Sequence, residues 1–149
     1  MVTDARALRD EKSVPILSGR DVVTARHQGR ALAALLGFST AEATLVATAI
    51  SELARNIVQY AKLGEIVLGV IEDDHTVGIA VVARDEGPGI PDIRATTVGG
   101  YSTSGGLGLG LPGVRRLMDE VEIDSEVGRG TTVTARKWTR RGSVDPFPL

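Results

Sequence analysis

Three groups of residues have the types and spacing to do chemistry. Glu52 and Asn56 stand four residues apart in a segment of helical periodicity, so their side chains leave from nearly the same side, one turn apart. Thr48 and Gln59 extend that polar stripe, and taken alone the stripe reads most simply as a solvated helix face. The run Arg84-Asp85-Glu86-Gly87-Pro88-Gly89 follows a Val/Ile-rich stretch. Glycine at alternate positions, Gly87 and Gly89, permits positive φ and lets a flat ring lie against the backbone. An aspartate at a strand end, Asp85, can accept a hydrogen bond from an exocyclic amine. By itself this run could equally be an ordinary tight turn. The third group is Ser102, Thr103, Ser104, Gly105, Gly106, Leu107, Gly108, Leu109 and Gly110, running directly into a helical segment. Successive backbone N–H groups leading to a helix N-terminus form an anion cradle, and the hydroxyls add donors. A flexible linker has no reason to interleave leucine with glycine in this way.

Other phosphate-binding patterns are excluded. Gly108, Gly110 and Gly113 satisfy G-x-G-x-x-G, but they follow a Ser/Gly loop rather than a strand, so the dinucleotide fingerprint lacks its context. The chain contains no G-x-x-x-x-G-K-[ST], and no H-R-D paired with D-F-G. His27 is a poor phosphoacceptor candidate, since Gln28 and Arg30 do not resemble a histidine-kinase acceptor box.

The elements that must position these groups follow from periodicity. Ser13 to Ser18 reads as a strand, and Asp21 to Leu36 as an Ala-rich helix stopped by Gly37. Ser39 with Glu42 makes a capping box opening a long amphipathic helix over 40–61, with Leu45, Ala49, Leu53 and Ile57 as its apolar face and Gly64 as its end. Residues 65–72 and 76–84 form a hairpin around Asp73, Asp74 and His75. A Gly/Pro-rich loop spans 87–113, with a short helical turn near Ile93, and so long a loop in a small domain is usually functional or mobile. Helical spacing resumes over 109–120, with Val114, Leu117 and Met118 opposite Arg115 and Arg116. Residues 121–127 and 131–138 form a second hairpin around Gly128, Arg129 and Gly130. The expected fold is an α/β two-layer sandwich, a mixed and mainly antiparallel sheet with helices on one face. Residues 1–12 read as a flexible terminus, 13–138 as one domain, and 139–149 as a disordered tail.

Composition agrees with one core built from small aliphatics. The 149 residues are 42% hydrophobic but only 3% aromatic, and a chain this long should bury roughly two-thirds of its unfolded surface. A formal charge of -2 excludes general nucleic-acid binding, which needs a basic field. With no cysteine there is no disulfide, zinc-thiolate site or catalytic thiol. The first residues lack the apolar run of a signal peptide, and no segment has the length of a membrane span, so a cytosolic protein is expected.

Taken in order, Glu52-x-x-x-Asn56, Asp85-x-Gly87-x-Gly89, Gly106-x-Gly108-x-Gly110 and Gly130-Thr131 resemble the N, G1, G2 and G3 boxes of the Bergerat-fold (GHKL) ATPases. Residues 51–57, 85–93 and 102–120 further resemble the RsbT-type switch kinases, with the likeness running from Asp21 to Trp138 and the ends departing from it. The resemblance implies ATP and Mg²⁺ as cofactors. It implies that Asn56 ligates the metal, that Glu52 is the base, that Asp85 meets the adenine amine, and that Gly87, Gly89, the 102–110 loop and Thr131 complete the nucleotide site. It implies a Ser/Thr kinase acting on a STAS-domain antagonist, with a PP2C-type phosphatase as a further partner that the free kinase switches on. An anti-sigma factor or other partner-binding module of the same fold is the alternative. An ATPase motor is disfavoured because 149 residues leave no room for a transducer domain.

Overall fold

The computed structural model describes residues 8–61, 63–87 and 110–140. The elements follow in the order β1 (Arg9–Ile16), α1 (Gly19–Leu35), α2 (Thr40–Asn56), a π-helical turn (Ile57–Ala61), β2 (Gly64–Asp73), β3 (Thr76–Asp85), α3 (Gly110–Leu117), β4 (Glu120–Glu126) and β5 (Gly130–Arg140). The expected turn near Ile93, most of the 87–113 loop and the end of the tail lie outside the described residues.

The five strands form one sheet in the order β1-β2-β3-β5-β4, and every pairing among the described residues is antiparallel. The two expected hairpins are present as β2/β3 and β4/β5. Their joining is a non-local event: β5 pairs along the whole of β3, from Thr76↔Arg140 to Asp85↔Thr131. The strand therefore runs past Trp138, where the tail was expected to begin. At the other end β1 begins at Arg9 rather than Ser13, with a bulge between Arg9 and Lys12 where Asp10 takes φ 56. A charged, bulged edge strand resists pairing with a second sheet.

Strand alternation splits the sheet's two faces. Ile66, Leu68, Ile79, Val81, Ala83, Val133 and Ala135 join the helices in the main core. On the other face Arg84 and Glu65 form an ion pair at 3.3 Å, and the Ser13 hydroxyl donates to Glu65 at 2.6 Å. That hydroxyl, then the Arg84 guanidinium, hold the Glu65 carboxyl below the ordinary range.

Both helix boundaries read from the sequence have visible causes. Gly37 takes φ 97, letting its N–H reach the Ala34 carbonyl and the Phe38 N–H reach that of Ala33, which closes α1. The Ser39 hydroxyl accepts from the Glu42 N–H at 3.1 Å while the Glu42 carboxylate accepts from the Ser39 N–H at 3.2 Å, which opens α2. Gly29 lets α1 settle onto α2, since a Cβ there would collide with the Ile50 side chain.

The apolar face of α2 needs one correction. Ala49, Leu53 and Ile57 are buried, but Leu45 is 37% exposed. Each step of four residues overshoots a full turn by about 40°, so Leu45 lies well round the helix from Ile57. Val46 and Ile50, both fully buried, fill the place assigned to it. Gly64 is likewise not a helix stop but the first residue of β2, the helix having already ended in the π-helical turn. The helix expected over 109–120 ends at Leu117, and Glu120 already begins β4; on α3 Val114 is buried and Arg115 and Arg116 exposed, with Met118 buried just beyond it. Among the described residues no helix is long and apolar enough to cross a membrane.

Candidate functional site

The sheet and α2 bring the first and second groups of candidate residues to the same end of the molecule. Asp85 ends β3, opposite Gly64 on β2 and Thr131 on β5. A Cβ built on Gly64 would strike the Arg84 carbonyl, and would lie 2.8 Å from Cγ2 of Ile57 and 3.1 Å from Cβ of Asp85. The bare backbone of Gly64 is thus what lets the G1 aspartate and the end of the Glu52/Asn56 helix share one neighbour. A Cβ on Gly87 would come 2.7 Å from Cβ of Ala61, so the turn after β3 rests on the π-helical turn. Widened turns of this kind are frequent at functional sites.

Asp85 is held by backbone donors. Its Oδ1 accepts from the Gly87 N–H at 2.9 Å and from the Thr131 N–H at 3.3 Å. Both bonds fall on one oxygen, and among the described residues Oδ2 has no donor, so it has the capacity to accept from an amine. Thr131 is fixed in turn by Ser125 on β4, whose hydroxyl lies 2.9 Å from the Thr131 hydroxyl. Gly130 takes φ 121 and is buried; a Cβ there would run into the backbone carbonyl of Asp85.

On α2, Glu52 is buried although charged, and its Oε2 accepts from Nη1 of Arg55 at 2.9 Å. Asn56 is the last residue of the helix and half-buried, one turn further on. Thr48, assigned to a polar stripe, gives its hydroxyl proton to the Thr44 carbonyl at 2.9 Å. Gly110 is the first residue of α3 and takes φ 50, a conformation that favours glycine where the loop turns into the helix. Gly89 and residues 102–109 lie outside the described residues. Ser125 and the Arg55 ion pair were not assigned from the sequence. The second was signalled by its i,i+3 spacing from Glu52, the first only by strand register.

A cleft of about 470 Å³ opens at the same end of the sheet, lined by Pro15, Leu63, Gly64, Glu65, Arg84, Asp85, Glu86 and Thr132. Glu65, Arg84 and Thr132 alternate with Gly64, Asp85 and Thr131, so their side chains stand on the face away from the helices. Glu52 and Asn56 do not line this cleft; they stand on the helix side of the sheet. There the available groups are an acceptor carboxylate oxygen at a strand end, a carboxamide at a helix end, and a buried carboxylate one turn behind it. Among the described residues no cluster of three His, Asp or Glu side chains could hold a metal alone. A cation bound beside Asn56 would need oxygens from its ligand, which suits Mg²⁺ on a polyphosphate.

Residues 18–137 match the family described as histidine kinase-like ATPase domain. The chain is 50% identical to serine/threonine-protein kinase RsbT of Bacillus subtilis (strain 168) over 133 residues, covering 89% of this chain and 100% of that protein. It is 36% identical to the anti-sigma F factor of Geobacillus stearothermophilus over 120 residues, 76% of this chain and 81% of that one. Among solved structures the mycobacterial sensor histidine kinase MprB aligns with a TM-score of 0.52 over 88% of this chain and 98% of that chain, at 15% identity, which shows a shared fold.

Proposed function

Because this chain belongs to the histidine kinase-like ATPase family, and within it to the RsbT-type serine/threonine kinases, we propose that it phosphorylates a Ser or Thr on a STAS-domain antagonist, using ATP and Mg²⁺. The observation that carries this reading is the buried, ion-paired Glu52 one turn from Asn56, at the end of the molecule where Asp85 keeps Oδ2 for a ligand.

Asp85 binds the adenine amine, with Thr131 and Gly87 fixing its carboxylate and the bare backbones of Gly64 and Gly87 letting the strand end pack closely against the end of α2. Gly89 and the 102–110 loop hold the phosphates. Asn56 would hold a magnesium ion, which would supply charge neutralisation on the phosphate oxygens. Phosphoryl transfer asks mainly for positioning and charge neutralisation. The acceptor oxygen bonds to the γ-phosphorus, the bond from phosphorus to the bridging oxygen breaks, and ADP leaves with that electron pair. The hydroxyl proton passes to Glu52. Asn56 and Glu52 can serve metal and proton separately because one helical turn keeps their polar ends apart.

The acceptor protein presents its hydroxyl over α2 at Glu52. The free kinase binds and activates a PP2C-type phosphatase, in the manner of a partner switch. The chain should transfer labelled phosphate from ATP, with magnesium, to a STAS-domain protein; no transfer to any STAS protein encoded nearby would sink the kinase reading. Similarity to anti-sigma F factors favours a second reading, in which sequestering a sigma factor is the main activity. A pull-down that captures a sigma factor and no STAS protein would favour that one.

ATP should bind more tightly than GTP, because a carboxylate that accepts from the adenine amine would face the guanine carbonyl oxygen. In Asp85→Asn the amide oxygen must stay with the Gly87 and Thr131 N–H groups, which turns the amide NH₂ toward the adenine amine, donor against donor. A hydrogen bond to a charged group contributes about 1.5–3 kcal/mol, so ATP affinity should fall on the order of 10- to 150-fold. Calorimetry checks this, and equal affinity of the parent protein for ATP and GTP would contradict the placement of Asp85.

A further inference from the structure

The carboxylate proposed to take the proton is in an awkward place. Glu52 is 7% exposed and flanked along α2 by the buried Ser51, Leu53 and Ala54. A buried carboxylate without a counter-charge is costly to keep ionised. The neighbouring hydroxyls do not help, for Ser51 donates to the Ala47 carbonyl at 3.0 Å and Thr48 to that of Thr44. Among the described residues the one side chain paired with this carboxylate is Arg55, whose Nη1 donates to Oε2 at 2.9 Å. Arg55 itself is 48% exposed, so it can hold Glu52 from the solvent side without being sealed in the core.

Resting on the kinase reading, we propose that Arg55 is the positioning residue for Glu52. Its guanidinium supplies the counter-charge that faces the buried carboxylate. By occupying Oε2 it also fixes the rotamer and leaves Oε1 for the proton of the acceptor hydroxyl. An exposed i,i+3 ion pair contributes little to stability, but here one partner is buried, and removing Arg55 leaves that charge without a partner. Arg55 thus acts through Glu52 and touches neither nucleotide nor reacting atoms. Its role is distinct from docking the acceptor, which would appear in the acceptor's KM.

The experiment measures steady-state phosphoryl transfer from labelled ATP to a STAS-domain protein by wild type, Arg55→Ala, Arg55→Lys, Glu52→Gln and the double variant. Arg55→Ala should lower kcat on the order of 10²-fold, the usual cost of a misplaced catalytic group, with KM for ATP and for the acceptor unchanged within about threefold. Arg55→Lys restores the positive charge without the planar fork, and should recover to within about tenfold of wild type. In the Glu52→Gln background, adding Arg55→Ala should cost little more, because the group it serves is already gone. Wild-type kcat in Arg55→Ala overturns the proposal, as does a raised acceptor KM at unchanged kcat, or an equal further loss in the double variant. A wild-type protein that binds ATP but transfers nothing overturns the kinase reading itself, and the positioning role falls with it.

Discussion

Glu52→Gln should lower phosphoryl transfer by about 10²- to 10⁴-fold, the range expected for losing a general base, while ATP should bind as in the wild type. The substitution isolates the proton step. Glutamine keeps the shape of glutamate in a site that is 7% exposed, so the packing around Leu53 and Ala54 is undisturbed. Its amide oxygen can still accept from Nη1 of Arg55, which preserves the contact now 2.9 Å long. What it cannot do is take a proton from an incoming hydroxyl. Nucleotide contacts are assigned to Asp85, Thr131, Asn56 and the glycines, none of which the change touches. Single-turnover transfer alongside ATP calorimetry separates the two quantities. An undiminished rate would remove Glu52 from the mechanism and leave positioning and metal as the whole of catalysis.

The second large effect is expected at Gly130, where Gly130→Ala should destabilise the fold and weaken ATP binding together. Gly130 is buried at φ 121, a region that a side chain makes strained at about 1–3 kcal/mol. The added Cβ would also meet the Asp85 carbonyl and come 2.8 Å from Cα of Glu86. Overpacking against backbone, which cannot rotate aside, costs about 1–3 kcal/mol more, for a total of roughly 2–6 kcal/mol. Relief can come only by parting β5 from β3 at Asp85↔Thr131, which breaks the Thr131 N–H bond to the Asp85 carboxylate. Gly128 is the control: its φ is 86, but nothing lies within 4 Å of a Cβ built there. Gly128→Ala should therefore carry strain alone and leave ATP affinity untouched. Urea denaturation and calorimetry on both variants make the comparison, and indistinguishable results would show that the contact with Asp85 does not matter.

Sequence alone determined the parts of this protein that depend on neighbours along the chain. The Ser39–Glu42 capping box, the stop at Gly37, the two hairpins and the i,i+4 placement of Glu52 and Asn56 are all consequences of local backbone geometry. The motif order carried the family for the same reason, since each box is a short contiguous run. Even here the limit shows at Leu45, which periodicity places in the core and which is exposed because the apolar stripe drifts round the helix. Tertiary structure decided what depends on residues far apart. Nothing near Glu52 in the sequence says that its carboxylate is buried; that follows from α2 packing against α1 and the sheet, and it turns an ordinary helical ion pair with Arg55 into a demand for counter-charge. Nothing near Asp85 says that Thr131 donates to it, and Ser125 enters only because β4 lies beyond β5. A sequence displays hairpin pairings directly, but the insertion of β5 between β3 and β4 is chosen by which strand faces bury the most apolar surface together. That choice brings Asp85, Gly130 and Thr131 to one end of the sheet beside Gly64 and the end of α2.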